Sequence, residues 1–553
     1  MSIEDDAFPV LDNHQLLRLC AYGVPSQVEI GEVLFHAGES SYDFIVLNSA
    51  TAETFREATS EHGEAVLARI GPGRFLGELN LLTGQATYLS TRVIKAGVIT
   101  RITPARFREL MDRDTELSDF VLRVFLVRRQ RLRTGAAARS IELIGSAWAA
   151  QTMTMRTWLA RLQVPHTFVD TDTAEGAARA EGLDLSAGDL PVLVAPNQLL
   201  RRATAATASA ELGLARRPQP GRSRVHDLVV VGGGPAGLAA AVYGGSEGLD
   251  TLLLEAVAIG GQAAASSRIE NYLGFITGIS GADLTGRAMI QAQKFGAQLN
   301  SPCPVVAVDA DAAELRVELA DGTSVATRAV VIATGARYRT LPLPRWKEFE
   351  GAGIYYAATE LEVRMAAPDP VAVIGGANSA GQAALYLAGA GSPVDLIVRH
   401  DDLRNDMSAY LADRIVADPR ITVRLASEVS ALDGESHLTE ITVRDNAKQT
   451  TDSVPCRALF CFIGADPATD WLHDVYLDRS GFILTDAELP AEALVSTWPH
   501  LGRRPLPFET SVPSVFAVGD VRGGSMKRVA AAVGEGASAV RSVHQVIERT
   551  SRV

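Results

Sequence analysis

The chain runs to 553 residues, 47% of them hydrophobic, too long for one core; at roughly 150 residues per domain it implies three to five folding units. Its 52 basic and 65 acidic residues leave a net charge of -13, which argues against a nucleic-acid partner or an anionic membrane surface, because phosphate binding needs a positive face. The opening MSIEDDAFPV carries neither the basic nor the apolar region of a signal peptide, and no apolar run is long enough to span a bilayer. A cytoplasmic protein with no membrane partner is expected. Four cysteines, Cys20, Cys303, Cys456 and Cys461, form no CxxC pair, so neither a disulfide framework nor a metal site is indicated and buried apolar roles are expected.

Residues 27 to 103 carry short, partly alternating apolar runs (Val33 to His36, Tyr42 to Asn48, Val66 to Ile70) between Gly and polar turns, the pattern of a β-barrel or jelly roll. A helical stretch follows from Pro104 to about Arg133. Its basic end, Val127 to Arg133, is predicted to be a solvated helix face rather than a nucleic-acid patch. Ile141 to Ile144 then reads as strand, Gln151 to Leu162 as helix, His166 to Asp170 as strand and Leu190 to Val194 as a strand entered through Pro191, which makes a small α/β unit. A polar linker, Arg216 to Arg224, leads into glycine-rich βαβ units that hold to the C-terminus. The expected units are 1–134, 135–215, 224–338 together with 465–553, and 339–464.

The apolar strand Asp227 to Val231 runs directly into Gly232-Gly-Gly234-Pro235-Ala236-Gly237, and the small residues after it suit a tightly packed helix. That is a GxGxxG turn in its required setting. Gly232 serves the tight turn, Gly234 removes the Cβ that would block a pyrophosphate, Gly237 lets helix and strand approach, and the helix N-terminus offers N–H groups to the phosphates. A second strand, Thr251 to Leu254, ends in Glu255, where an acid binds ribose hydroxyls. A similar unit starts at Val371 to Ile374 and turns through Gly375-Gly-Ala377-Asn378-Ser379-Ala380, so two dinucleotides are expected. After its next strand, Val394 to Val398, come Arg399, His400 and Arg404 in place of an acid. Guanidinium forks suit a 2′-phosphate and favour NADPH over NADH; the alternative is surface arginines without a ligand.

At these residues the chain resembles the low-molecular-weight thioredoxin reductase family of FAD/NADPH flavoproteins, from about Arg224 to the C-terminus. Further motifs match in order: Gly260-Gly261-Gln262, Ile269 to Gly274 with Asn271, Val331 to Gly335 with Thr334, Ser514 to Asp520 with Gly519, and Lys527-Arg528-Val529. The resemblance implies two Rossmann-like domains and adds Gly261, Gln262, Asn271, Thr334, Gly335, Gly519, Asp520, Arg528 and Val529 to the FAD site. Asp520 would hold the ribityl chain, and the helix after Arg528 would aim its N–H groups at the flavin. It also implies a homodimer and hydride flow from NADPH through flavin to a small-molecule or small-protein acceptor. A non-catalytic flavin-bound sensor is the alternative from another class. No residue stands out as acid, base or nucleophile.

The departure from that family lies where its redox CxxC should stand: Ala357 and Glu360 occupy the two positions in Gly353-Ile-Tyr-Tyr-Ala-Ala-Thr-Glu360. Exchange with a disulfide needs an attacking thiolate, so reduction of thioredoxin through internal cysteines is not expected. Five residues of extended chain place Cys456 and Cys461 more than ~15 Å apart, beyond disulfide reach. The N-terminal region resembles cyclic-nucleotide-binding domains, chiefly in Phe75-Leu-Gly-Glu78-Leu79, where Glu78 would accept from a ribose hydroxyl; the cassette arginine is absent from Ala86 to Leu89. A nucleotide-like ligand and a degenerate regulatory module both remain open there. The middle segment resembles a thioredoxin or glutaredoxin fold, with Pro191 at the usual cis-proline position and a cysteine-free loop, Gly145 to Gln151.

Overall fold

The computed structural model describes residues 6–39, 41–57, 63–83, 87–134, 141–162, 164–195, 198–212, 225–266, 269, 272–310, 315–358, 360–435, 437–495 and 498–550. In the N-terminal unit, strands between Val24 and Ile102 form two four-stranded antiparallel sheets. Phe44 and Phe75 stack between them with centroids 5.0 Å apart. Two helices close the barrel: α1 (Pro104–Arg113), capped by the Thr103 hydroxyl, which accepts from the Arg106 N–H, and α2 (Thr115–Thr134). They bring Phe107 and Phe125 to the same aromatic core.

The basic end of α2 departs from expectation. Arg128 and Arg129 are each only 5% exposed. Arg128 donates to the carbonyls of Ala7 and Phe75 at 2.8 and 2.9 Å and to that of Gly77, and its guanidinium lies between the Phe8 and Phe75 rings, 4.7 and 4.6 Å from their centroids. A charge can be buried when every donor finds an acceptor and aromatic faces replace water. These contacts come from segments over fifty residues away, so no local pattern announces them.

The middle unit comprises β1 (Glu142–Gly145), α3 (Ala150–Arg161), β2 (Thr167–Asp170), α4 (Ala174–Gly182), β3 (Val192–Ala195), β4 (Gln198–Leu200) and α5 (Ala205–Glu211). The sheet order is β2-β1-β3-β4, with β1 and β2 parallel and the other pairs antiparallel. The alternation of strand and helix expected for a small α/β unit is thus present, and the Leu190–Pro191 bond is cis. Sequence reading missed β4: three residues beside Arg201 and Arg202 are too short to show alternation, and the strand exists because Leu200 pairs with Leu193. The linker Arg216 to Arg224 lies outside the described residues.

The C-terminal half opens with β5 (Leu228–Val231), α6 (Pro235–Ser246), β6 (Thr251–Leu254), α7 (Gly281–Lys294), β7 (Gln298–Asn300), β8 (Val330–Ile332) and β9 (Ala336–Tyr338). It continues through β10 (Ile354–Tyr355), α8 (Glu360–Ala366), β11 (Val371–Ile374), α9 (Asn378–Gly389), β12 (Val394–Ile397), β13 (Ile421–Arg424), β14 (Ala458–Cys461) and β15 (Ala465–Pro467). It closes with β16 (Val515–Ala517) and α10 (Val529–Thr550). One parallel sheet has the order β7-β6-β5-β8-β16 and the other β10-β14-β11-β12-β13. Their central strands are fully buried and, apart from Thr251, apolar, as parallel strands covered on both faces must be. Antiparallel β9 and β15 form the double crossing between the two domains. Among the described residues no helix is long and apolar enough to cross a membrane, and no cluster of His, Cys, Asp or Glu could hold a metal.

Candidate functional site

Strand β5 ends in a turn in which every glycine has a separate task. Gly232 has φ +107°, and a Cβ there would lie 2.3 Å from the Ala333 carbonyl oxygen. A Cβ on Gly237 would lie 1.9 Å from the Gly232 oxygen, so the first turn of α6 sits directly against the loop. Gly234 differs: the nearest atom to a Cβ there is Gly261 Cα at 3.9 Å. A Cβ on Gly234 would thus meet only ordinary contact, beneath the Gly261 backbone, and α6 starts there with Pro235 at its first turn and no side-chain cap. Glu255 closes one side, accepting from the N–H groups of Gly233 and Val257 at 2.6 and 2.9 Å. Burial raises its pKa, and those N–H groups and the charge of Arg161 oppose the rise.

The other predicted residues surround the same opening. Gly260 donates to the Gly233 carbonyl at 2.8 Å, which lays the Gly260-Gly261-Gln262 segment over the glycine turn, and the Gln262 amide donates to the Ala336 carbonyl. The Thr334 hydroxyl donates to the Ala468 carbonyl at 3.0 Å, and Gly335 has φ +70°. Gly519 rests against Ala236, to whose side chain a Cβ would approach within 2.9 Å. Asp520 follows; burial raises its pKa, Lys527 lowers it and Glu535 raises it. Arg528 is exposed and Val529 opens α10, so the helix start falls where the motif places it. Asn271 lies outside the described residues. The cradle therefore fits a dinucleotide: a Cβ would fill its centre, a helix start faces it, and acids stand at both ends.

The second turn is built alike. Gly375 has φ +141°, and a Cβ there would lie 2.5 Å from the Phe462 carbonyl oxygen. Ala377 caps α9 with its methyl exposed; Ser379 is exposed and Ala380 buried. Asn378 is spent on structure, accepting from the Ser408 N–H at 2.8 Å. Arg399 is exposed, and its Nε donates to His400 Nε2 at 3.2 Å. Arg404 pairs instead with Asp413, so the two arginines are unequally available.

Residues 226–536 match the family model described as pyridine nucleotide-disulphide oxidoreductase, and residues 25–114 that of the cyclic nucleotide-binding domain. The chain belongs to the pyridine nucleotide-disulphide oxidoreductase family. Among its relatives, the thioredoxin reductase of Treponema pallidum is 33% identical over 58% of this chain and 97% of its own length, and that of Streptomyces clavuligerus 33% over 57% and 92%. The crystal structure of Lactococcus lactis thioredoxin reductase overlays with a TM-score of 0.52 at 27% identity, covering 58% of this chain and 99% of that one. The C-terminal half is thus a thioredoxin reductase-like, FAD-dependent NAD(P)H oxidoreductase, with FAD and NADPH as its cofactors.

Within this oxidoreductase frame, the thioredoxin-like unit is seated across both nucleotide domains. Its cysteine-free loop meets the second: Trp148 packs against His437 with ring centroids 5.4 Å apart and planes tilted by 35°, and lies under the Arg457 guanidinium at 3.6 Å. A Cβ on Gly351 would approach Ala150 Cα within 3.1 Å. Met153 is buried in one cluster with Tyr355, Ala358, Val363 and Ala366, the stretch around Ala357. The four cysteines are free; burial pushes the thiols of Cys456 and Cys461 up to about 12. Sequence reading also missed Tyr338, which stacks on Tyr356 with centroids 5.3 Å apart across the two-domain boundary. Nothing local marks either tyrosine, since their meeting depends on how β9 and β10 are brought together.

Proposed function

We propose that the chain oxidises NADPH through flavin and passes the electrons to a small-molecule acceptor, such as a quinone, without an internal dithiol. The observation that carries this reading is the burial of Met153, from the cysteine-free module, in one cluster with Tyr355 and Ala358 on either side of Ala357: where a redox dithiol would stand the chain carries alanine, and its own module packs beside it. Thiol exchange needs a thiolate, and the raised pKa of both buried cysteines keeps them protonated at neutral pH. In this reading Gly232, Gly234, Gly237, Glu255 and Asp520 hold FAD, while Gly375, Ala377, Ser379, Ala380 and Arg399 hold NADPH. When bound, the flavin supplies the hydride chemistry; the chain supplies position, charge and exclusion of water. The N-terminal domain acts as a structural or regulatory module, supported by Arg128, which ties up the cassette carbonyls of Phe75 and Gly77.

The test is to assay NADPH oxidation with an artificial quinone and with thioredoxin, in the parent and in a variant with all four cysteines replaced by Ala. The expected result is quinone turnover in both proteins and no thioredoxin turnover in either. Thioredoxin turnover in the parent that disappears in the variant, while quinone reduction survives, would contradict the proposal.

A further inference from the structure

Helix α3 of the thioredoxin-like unit ends over the first nucleotide cradle. Trp158 donates from its indole N–H to the Val257 carbonyl at 3.2 Å, and Trp158, Leu159 and Leu162 pack with Ala258 in one buried cluster. Val257 and Ala258 lie two and three residues after Glu255, and Gly260 beyond them is bonded to Gly233. The helix therefore bears on the loop that lies over Gly234. Arg161, one turn past Trp158, is the last residue of α3. Its Nε is buried and has no hydrogen-bond partner, although buried donors are normally paired.

The Arg161 charge reaches both sides of the cradle. Burial raises the pKa of Glu255 at the end of β6 and of Tyr338 in β9; the Arg161 charge opposes both rises, and the charge of Asp520 adds to that of Tyr338. Arg161 thus lies within charge range of the acid at the end of β6 and of β9, one turn beyond the Trp158 indole that is bonded to Val257. Residues 225–262, which include the glycine turn, its flanking strands and the loop above it, contain no Lys or Arg. That stretch offers a diphosphate no cationic side chain, and Lys527 stands at the far end beside Asp520.

The geometry points to Arg161 as a cofactor-binding residue: the thioredoxin-like unit lends its guanidinium to the pyrophosphate of the FAD held by the oxidoreductase half. A planar fork of N–H donors matches phosphate oxygens and resists deprotonation. The module has lost its own cysteines and has become part of the flavin site. This inference rests on the flavin reading of the Gly234 cradle and deepens it.

The experiment measures FAD affinity of the full-length apoprotein by quenching of flavin fluorescence, at several salt concentrations, for the parent, Arg161→Met and Arg161→Lys. Thermal unfolding of each apoprotein is followed in parallel. Arg161→Met is expected to weaken FAD by at least about tenfold, the worth of one charge-assisted contact. It should also flatten the salt dependence and leave the apoprotein transition in place, while Arg161→Lys recovers most of the affinity. Binding by Arg161→Met within about twofold of the parent, well under one such contact, would overturn the inference. So would an equal loss in both variants accompanied by a lower apoprotein transition, since that marks a packing role. A parent chain that takes up no FAD overturns the flavin reading as well, which separates the two failures.

Discussion

The glycine turn of the oxidoreductase half and the cassette of the N-terminal domain are both phosphate-binding patterns in sequence, yet the fold treats them in opposite ways. A Cβ on Gly234 would meet no atom closer than 3.9 Å, and the start of α6 carries no side-chain cap. In the cassette Arg128 takes the carbonyls of Phe75 and Gly77 and the Glu78 N–H donates to the Tyr42 hydroxyl at 3.1 Å, while the buried Glu78 Oε2 has no hydrogen-bond partner. Burial raises the pKa of Glu78, against the charges of Arg129 and Arg128. A motif keeps its ligand only while its donors and its space remain unspent.

That contrast can be broken most forcefully at Arg128. Arg128→Met would leave the carbonyls of Ala7, Phe75 and Gly77 buried without a donor, at about 1–3 kcal/mol per group. The N-terminal domain should lose about 3 kcal/mol or more in thermal or denaturant unfolding, while the flavin spectrum is unchanged. A variant as stable as the parent would show that Arg128 does not hold the cassette closed.

At Gly234 the opposite experiment applies, because the fold leaves room there for a small side chain. Gly234→Val should cost about 1–3 kcal/mol of flavin binding through overpacking, a roughly five- to 150-fold weaker FAD affinity, read as flavin retained after dialysis. Full flavin content would place the pyrophosphate elsewhere. The smallest effect is expected at the second turn. Arg399→Ala should weaken NADPH by about 1.5 kcal/mol, roughly tenfold, and leave NADH unchanged. Arg404→Ala should do less, because Arg404 is already engaged by Asp413. Equal losses for both nucleotides, measured as KM, would remove the 2′-phosphate assignment.

What the sequence disclosed divides along a physical line. Gly232, Gly237 and Gly375 were legible because close backbone approach permits no side chain there, and Glu255 because strand length fixes where the next turn falls. Arg128 was not legible: its burial depends on carbonyls from Ala7 to Gly77, and charge runs normally face water. Strand β4 was too short to show a period. Arg161 and Trp158 share the α3 face at a spacing of three, but that spacing says nothing about docking on Val257 in another domain. Arg404 was legible as a basic residue near the second nucleotide, while its pairing with Asp413 required the fold of the loop between them.

The central claim, a flavoenzyme without a redox dithiol, is tested most directly by anaerobic reductive titration of the oxidised holoprotein with dithionite, followed by flavin absorbance. Flavin alone accepts two electrons, and a disulfide in exchange with it would accept two more. The account predicts full bleaching at two electron equivalents per chain, with no thiols gained. Uptake of four equivalents per chain, with two newly titratable thiols, would contradict it.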